Sequence, residues 1–504
     1  MEAKASDIKL DKYVGELTKN CDIVGKKYKK VIGILYNGYE VIVFKNKERV
    51  VGETELRNKE YYFGLFEDNN IDTNEIYNIT RSINDSLHFD FAIKNLYNRM
   101  IITACALVAK RYGATLIKGM DYNTFHTSIH STIAKSYSED IKKNSKLTLL
   151  LEVFSRIQMN MTDNQDAIDN FIENVGKISD KINSDFWNGE DVMAIFFNEF
   201  NRYKKKSEHG QVFTPDNITS LMYRITDTNK DDKVLDAACG SGAFLVKSMC
   251  NMMKEAGGIR TTKAKEIKET QLYGIELDRE VFALACANML IHKDGKTNIE
   301  QLDSRSNEAK AWIKSKPITK VLMNPPFENK YGCIEIVSNV LDSVDRGVVC
   351  AFIMPDNKLE TNAGKVRRML SKHRLSKIIK LPEKTFSGCT TSIFIFNAGI
   401  PQNDAQIFTC HIKDDGFETV KNQGRQDINN KWRDIENYWV DVIMKQSGDE
   451  SVKWINPNTA LSYQMPEQRF QIDEADFKKT ILDYILYKSQ IDEADFKIVI
   501  HKTK

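Results

Sequence analysis

The sequence predicts an α/β fold in which a mostly parallel, Rossmann-like sheet follows a helical region and a small N-terminal α/β unit. From about residue 210, short apolar runs alternate with helical stretches, which is the pattern of βαβ units. Before that point, long patterns of helical periodicity contain few glycines. The runs that we predict as strands are Lys233–Asp236, Leu272–Glu276, Ile299–Asp303, Lys320–Met323, Val348–Met354, Lys377–Leu381 and Ser392–Asn397.

These patterns divide the 504 residues into four predicted parts, which are residues 1–75, 76–205, 206–400 and 401–504. In the first part, two β-rich runs flank Asn37-Gly38, which favours a hairpin because both residues tolerate positive φ. The second part is predicted to be helical, and the last is a mixed, polar C-terminal extension. The predicted helices of the second part are Ile79–Arg111, Leu147–Met159, Ala167–Ile178 and Asp191–Phe200.

The composition favours a folded cytoplasmic protein. The hydrophobic fraction of 41% is enough for real cores, and the nine cysteines form no Cys-x-x-Cys pair of a zinc ribbon. No apolar run reaches the roughly 18 residues that span a bilayer, so we expect no membrane contact. We assign no metal site, because His126 and His130, four residues apart, have no evident third ligand.

Three predicted strand ends carry residues that are typical of a nucleotide-binding site. Residues 234–244 read Val-Leu-Asp-Ala-Ala-Cys-Gly-Ser-Gly-Ala-Phe, an apolar strand that ends in Asp236 and enters a Gly-x-Gly turn before a helix. Glycines let the backbone approach a ligand, although an ordinary strand–helix turn has the same form. Glu276 ends the second strand, where a carboxylate can accept hydrogen bonds from both ribose hydroxyls. Asp303, after the third strand, could accept one from an adenine amino group.

The motif Asn324-Pro325-Pro326-Phe327 follows the fourth predicted strand and decides the chemistry. The two prolines end the strand and stiffen the backbone. The Asn324 side-chain oxygen and the Pro325 carbonyl are both acceptors, so they suit an NH2 group with two hydrogens. Accepting both hydrogens would push the nitrogen towards sp3 geometry and free its lone pair to attack a methyl sulfonium. Phe327 offers a flat face on which an extruded base can stack.

A further motif, Gly210-Gln-Val-Phe-Thr-Pro215, lies just before the sheet. The Thr214 hydroxyl and the N–H groups at the start of a helix could hold the carboxylate of a cofactor. Pro215 also suits the first position of any helix, so this motif indicates a cofactor site only in combination with the other motifs.

Taken together, these motifs resemble the amino-methyltransferases of restriction–modification systems, above all the modification subunits of type I enzymes and the related fused polypeptides. The likeness covers roughly residues 190–440, including Asp414–Phe417 and Asp427–Trp439. It implies a class I methyltransferase sheet, S-adenosylmethionine as the cofactor and N6 of adenine in duplex DNA as the acceptor. Ala237 stands where the family often has proline, a conservative departure.

The resemblance also implies a role for each motif residue. Thr214 would contact the methionine moiety, Glu276 would bind the ribose, and Asp303 would bind the cofactor adenine. Asn324, Pro325, Pro326 and Phe327 form the catalytic motif that would hold the flipped base. The residues that would line the cofactor from the first motif are Asp236, Cys239, Gly240, Gly242 and Phe244.

The N-terminal part resembles, more weakly, the end of the nuclease domain of restriction subunits and fused enzymes, over Val31–Lys47. Such nucleases bind magnesium through an Asp and a Glu-x-Lys pattern, and we assign no Glu-x-Lys in residues 1–75. We therefore expect that this chain alone does not cut DNA, and that a restriction subunit is a possible partner.

The net charge of only +2 is low for a protein that grips a duplex alone. We therefore expect a separate specificity subunit, with Arg202–Lys206 and Lys365–Arg368 as candidate phosphate contacts. Two alternatives stay open: a methyltransferase acting on RNA or on protein glutamine, and an inactive scaffold subunit of a defence complex. The repeat at residues 471–478 and 490–497 receives no function.

Overall fold

The computed structural model describes most of the chain. The described residues are 1–6, 8–46, 48–50, 56, 59, 62, 73–139, 145–157, 163–183, 195–196, 214–258, 261–292, 298–328, 332–386, 388–420, 424–465 and 474–491. Met1–Tyr463 form one compact unit and Gln464–Lys504 a second, which contains helix α15 (Glu474–Ser489). Among the helices in these ranges, none combines the length and the apolar character that crossing a membrane requires.

Among its described residues, the N-terminal part contains a four-stranded sheet and a helix, which agrees with the predicted small α/β unit. The hairpin prediction is confirmed: β2 and β3 are antiparallel, Gly38 has φ 94°, and the Asn37 side chain accepts hydrogen bonds from the next turn residues. The elements, in the sheet order β1-β2-β3-β4, are β1 (Glu2–Ala3), α1 (Val14–Gly25), β2 (Ile32–Tyr36), β3 (Val41–Lys45) and β4 (Glu48–Val50).

The tripeptide Glu2-Ala3-Lys4 has the Glu-x-Lys spacing that we did not assign from the sequence. It begins on β1, where the Lys4 ammonium lies 3.4 Å from the Glu2 carboxylate. Within the described ranges, no group of three or more His, Cys, Asp or Glu side chains is placed to hold a metal ion.

In the helical region, the predicted helix Ile79–Arg111 is two helices in the structure, and helix Tyr122–Glu139 was not predicted. The chain leaves the first helix at Phe89, Ala92 takes φ +54°, and Asn95 caps the second helix. Arg99 fixes this break, because its buried guanidinium donates to the carbonyl oxygens of residues 93 and 94 at 2.9 and 2.7 Å. The helices are α2 (Thr73–Phe89), α3 (Leu96–Arg111), α4 (Tyr122–Glu139), α5 (Ser145–Arg156) and α6 (Gln165–Asn183). Of the predicted helix Asp191–Phe200, all but residues 195–196 lie outside the described residues.

A nine-stranded sheet follows, and each of the seven predicted strands is confirmed within it. Its strands are β5 (Val234–Asp236), β6 (Leu272–Glu276), β7 (Asn298–Gln301), β8 (Lys320–Met323), β9 (Val349–Pro355), β10 (Arg374–Lys380), β11 (Thr391–Asn397), β12 (Ile407–His411) and β15 (Lys453–Ile455). The helices on its faces are α7 (Asp216–Ile225), α8 (Ala243–Glu255), α9 (Thr262–Thr270), α10 (Arg279–Ile291), α11 (Asn307–Lys314), α12 (Cys333–Leu341), α13 (Ala363–Leu370) and α14 (Trp432–Lys445). A two-stranded hairpin, β13 (Glu418–Val420) and β14 (Gly424–Gln426), precedes α14.

The strand order confirms the predicted class I methyltransferase sheet. From one edge it runs β7-β6-β5-β8-β9-β11-β10, with β11 antiparallel to both of its neighbours. β12 and β15 extend the sheet beyond β10, although they come from the predicted C-terminal extension. The predicted domain boundaries therefore remain predictions.

The helical region packs against one helix of this sheet. The apolar core of α2–α6 includes Ala283, Leu284, Ala287, Leu290 and Ile291, which all belong to α10. Because α10 directly follows the end of β6, the helical region lies close to the loop that carries Glu276.

Candidate active site

Three loops that carry the predicted site residues meet at one edge of the sheet. β5 pairs in parallel with β6 on one side and with β8 on the other. Parallel strands end at the same edge, so the segments after Asp236, Glu276 and Met323 are neighbours there. The structure thus brings the glycine motif, the acidic motif and Asn324–Phe327 together.

The glycine motif is an open turn held by main-chain hydrogen bonds. The Cys239 N–H donates to the Ile275 carbonyl at 2.9 Å, and the Gly240 N–H donates to the Glu276 carboxylate at 3.0 Å. Gly240 has φ +55° and Gly242 has φ +87°, a conformation that favours glycine. A Cβ atom added to Gly240 would meet no protein atom within 4 Å, so this backbone faces open space.

Glu276 is a largely buried carboxylate that retains some hydrogen-bonding capacity. It accepts from the N–H groups of Leu277 and Asp278 at 2.9 Å each, besides that of Gly240. A carboxylate offers about four acceptor positions, so these three leave about one. Burial raises the pKa of Glu276, and the three backbone hydrogen bonds oppose that shift.

Asp236 lies deeper in the same pocket wall. Its side chain is 1% exposed and accepts from the Ala238 N–H at 3.1 Å. Burial raises the pKa of Asp236 well above its usual range, and the nearby Glu276 carboxylate raises it further. The two acidic groups therefore make this wall a place that attracts hydrogen-bond donors.

Asn324 is held by a residue of the upstream motif. Its amide nitrogen donates to the Thr214 hydroxyl at 3.0 Å, and Thr214 is buried just before α7. Phe327, three residues on, packs against Phe386 with ring centroids 5.7 Å apart and an interplanar angle of 79°. Lys358, buried after β9, donates to the Phe327 carbonyl at 2.5 Å. The predicted catalytic motif, Asn324–Phe327, is thus held at both ends by side chains from distant parts of the chain.

Comparison with known proteins agrees with this geometry. Residues 190–346 match the N-6 DNA Methylase family. The chain is 30% identical over 341 residues to a type II restriction enzyme and methyltransferase of Heyndrickxia coagulans, a match that covers 62% of this chain and 51% of that protein.

Other similarities cover a larger share of the chain than the family match does. A type I restriction enzyme methylase subunit of Escherichia coli is 24% identical over 242 residues, or 43% of this chain and 47% of the subunit. The chain spans about half the length of these curated relatives. A chain from a structure of a type I restriction–modification system matches with a TM-score of 0.56 and 15% identity, over 86% of this chain and 98% of that one. At that identity the last likeness shows a shared fold.

Two predicted cofactor-lining residues, Cys239 and Phe244, point their side chains into the core. Cys239 is 5% exposed and Phe244 is 2% exposed, and both belong to the apolar cluster beneath the sheet. Burial raises the pKa of the Cys239 thiol well above its usual range. These two residues can therefore line the pocket only through their main chain.

Asp303 has a partner within its own loop. Its carboxylate accepts from the Arg305 guanidinium at 2.9 and 2.6 Å, and these hydrogen bonds lower the pKa of Asp303. The neighbouring Ser304 hydroxyl donates to the Ala237 carbonyl, which ties this loop to the glycine motif. A ligand amino group at Asp303 would have to share the carboxylate with Arg305, so that role remains a prediction.

Three residues near the site were not found from the sequence: Lys358, Phe386 and Tyr97. Tyr97 lies on α3 of the helical region and is half-buried. Burial raises the pKa of Tyr97 to about 12, and the carboxylates of Asp278 and Glu276 contribute, so its phenol lies near the acidic loop. None of the three belongs to a local motif, and only their tertiary contacts reveal them. Residues 210–213 of the upstream motif and the candidate phosphate contacts at residues 202–206 lie outside the described residues.

Proposed function

We propose that this chain transfers a methyl group from S-adenosylmethionine to N6 of adenine in DNA, as the modification component of a restriction–modification system. The observation that carries the proposal is the hydrogen bond from Asn324 to Thr214, at the sheet edge shared with Gly240 and Glu276. It joins an amine-binding motif to a nucleotide-type pocket in one site. The N-6 DNA methylase match and the restriction–modification relatives support the same activity.

The residues of the glycine side fit the cofactor. Gly240 leaves open space for a ligand beside the backbone, and Glu276 has capacity for a ribose hydroxyl beyond its backbone hydrogen bonds. S-adenosylmethionine supplies an electrophilic methyl group on a sulfonium. Asp236 and Glu276 place two carboxyl groups, which can accept hydrogen bonds, beside the space that would hold this cofactor.

On the acceptor side, the chain positions the base and orients its amino group. Asn324 Oδ1 and the Pro325 carbonyl accept the two amino hydrogens, and the Phe327 ring stacks on the extruded base. The adenine nitrogen then forms the new N–C bond while the methyl–sulfur bond breaks, and the nitrogen gives up one proton to water. No protein nucleophile takes part, and the enzyme contributes orientation and electrostatics.

We also propose that the chain acts in the cytoplasm with a separate specificity subunit, and that a restriction subunit joins the assembly. The net charge of +2 provides little general attraction to a duplex. The relatives include a subunit of a type I enzyme. Helix α15 exposes a run of apolar side chains that suits a protein partner: Phe477, Ile481, Leu482, Tyr484, Ile485 and Tyr487.

Transfer of tritiated methyl groups tests the acceptor. The full chain, purified with the proteins encoded beside it, is incubated with labelled S-adenosylmethionine and with duplex DNA, RNA or protein. We expect label in DNA, and we expect Asn324→Ala to reduce it about 10²- to 10³-fold, since an oriented hydrogen-bond partner is lost. Cofactor affinity, measured by calorimetry, should stay within about twofold, because this proposal places the Asn324 side-chain oxygen against the acceptor base and not against the cofactor.

Asn298→Ala is the matched control. Asn298 donates its amide hydrogen to the Glu269 carbonyl at 3.2 Å, and it begins β7 at the opposite edge of the sheet. This variant should transfer methyl groups at the wild-type rate. Label in RNA or in protein glutamine would replace DNA as the acceptor, and equal rates for the two variants would favour an inactive scaffold.

A further inference from the structure

Lys358 is an unusual residue for its position. It is 6% exposed, and it follows the end of β9 between the half-buried Asp356 and the fully buried Leu359. Lysine is rarely this buried unless its ammonium has a polar partner, because desolvating a charge is costly. One partner is the carbonyl oxygen of Phe327, at 2.5 Å, across 31 residues of chain.

The backbone that carries Lys358 is fixed on both sides. Its N–H donates to the Pro355 carbonyl at 2.9 Å, and its own carbonyl accepts from the Asn362 amide at 2.9 Å and from the Thr361 hydroxyl at 3.2 Å. The main chain of Lys358 is therefore held in place, which restricts the positions that its ammonium can reach.

The adjacent strand end is anchored as well. The Asp356 carboxylate binds the Lys380 ammonium on β10 and accepts from the Ser392 hydroxyl on β11 at 2.7 Å. These contacts tie the ends of three strands together just before Lys358. Lys358 thus links the anchored end of β9 to the Asn324–Phe327 loop.

That loop is the catalytic motif. Phe327 is its last residue, and the Phe327 ring meets Phe386 edge to face. Holding the Phe327 carbonyl sets the orientation of this peptide, and therefore the position of the ring that faces the base. A donor this strong is also hard to displace, since a hydrogen bond from a charged group is about twice as strong as a neutral one.

We propose that Lys358 is a positioning residue for methyl transfer, acting through Phe327 to hold the acceptor base in line with the methyl donor. The inference deepens the proposed function and rests on it. Lys358 touches neither base nor cofactor in this assignment. Its hydrogen bond fixes the position of the Phe327 peptide relative to the part of the site that would hold the cofactor. No local sequence motif supplies this contact.

Lys358→Met in the full chain tests this, because methionine preserves the bulk of the stem and removes the donor. We expect the single-turnover rate of methyl transfer to DNA to fall about tenfold to a hundredfold, the scale of a small misplacement of reacting groups. The dissociation constant of S-adenosylmethionine, measured by calorimetry, should not change. Lys358→Arg, which restores a charged donor, should recover most of the lost rate.

Lys377→Met is the matched control. Lys377 also donates to a main-chain carbonyl, that of Ile443 at 3.0 Å, but it stands on β10 away from the catalytic motif. Loss of a lysine that donates to a main-chain carbonyl should lower the melting temperatures of both variants, whereas only Lys358→Met should slow transfer. If the Met variant at 358 does not fold, Lys358→Gln, which keeps a neutral donor, is measured instead and should give an intermediate rate.

Each other outcome contradicts the proposal. Equal transfer rates for the variants at 358 and 377 would show that Lys358 only stabilises the fold. A parallel loss of cofactor affinity would assign it to the cofactor side. If Lys358→Arg does not recover activity, the donated hydrogen bond does not set the rate of methyl transfer. A wild-type chain that methylates no DNA would instead overturn the proposed function, and this proposal with it.

Discussion

The two sides of the site are built in different ways. On the cofactor side, the Glu276 carboxylate accepts hydrogen bonds from the main-chain N–H groups of Gly240, Leu277 and Asp278. On the acceptor side, the Thr214 side chain holds Asn324 and the Lys358 side chain holds Phe327. The described contacts of one side come from the main chain, whereas those of the other side come from side chains.

The difference has a functional consequence. Substitutions on the cofactor side should weaken S-adenosylmethionine binding and leave transfer largely intact at saturating cofactor. Substitutions on the acceptor side should slow transfer and leave binding unchanged. Asn324→Ala and Lys358→Met are the acceptor-side cases, and three further variants sharpen or break this division.

Glu276→Gln should give the largest effect on the cofactor side. The variant loses the charged acceptor for a ribose hydroxyl and for the Gly240 N–H. Hydrogen bonds to a charged group contribute about 1.5–3 kcal/mol, so the cofactor dissociation constant should rise about 10- to 100-fold in calorimetry. Glu300→Gln, an exposed residue on the next strand, is the control. An unchanged dissociation constant for Glu276→Gln would remove Glu276 from the pocket.

Thr214→Val tests whether Thr214 belongs to the cofactor side or to the acceptor side of the site. The resemblance assigns Thr214 to the methionine moiety, but in the structure its hydroxyl accepts from Asn324. One neutral hydrogen bond contributes about 0.5–1.5 kcal/mol, so we expect transfer at saturating cofactor to slow about threefold to tenfold. The control is Thr409→Val on β12, which loses a hydrogen bond from a buried hydroxyl to the Lys453 carbonyl on β15. This variant should not slow methyl transfer. Weaker cofactor binding with an unchanged rate would place Thr214 on the cofactor side.

Asp236→Asn should give the smallest effect, visible in stability against pH. Burial holds the pKa of Asp236 well above its usual range, so the folded state binds this proton more tightly than the unfolded state does. The free energy of unfolding therefore falls as the pH rises from the usual aspartate pKa through the raised one. Asparagine does not titrate, and the variant should lose this part of the decline in melting temperature between pH 5 and pH 8. An identical decline in melting temperature for both proteins would contradict the raised pKa of the buried Asp236.

The same division explains what the sequence could predict. The seven strands and the cofactor motif depend on short-range patterns, and the structure has these strands where the patterns indicate. Lys358 and Phe386 depend on contacts between distant segments, for which a single sequence carries no signal. The break in Ile79–Arg111 is of the same kind, since the buried guanidinium of Arg99 outweighs a continuous helical pattern.

The product nucleoside tests the central claim most directly. DNA that has been incubated with S-adenosylmethionine and the full chain, purified with the proteins encoded beside it, is digested to nucleosides and measured by mass spectrometry. We predict N6-methyldeoxyadenosine with the wild-type chain and only a trace with Asn324→Ala. Methylation of cytosine instead, or equal amounts of N6-methyldeoxyadenosine from both proteins, would contradict an active site centred on Asn324.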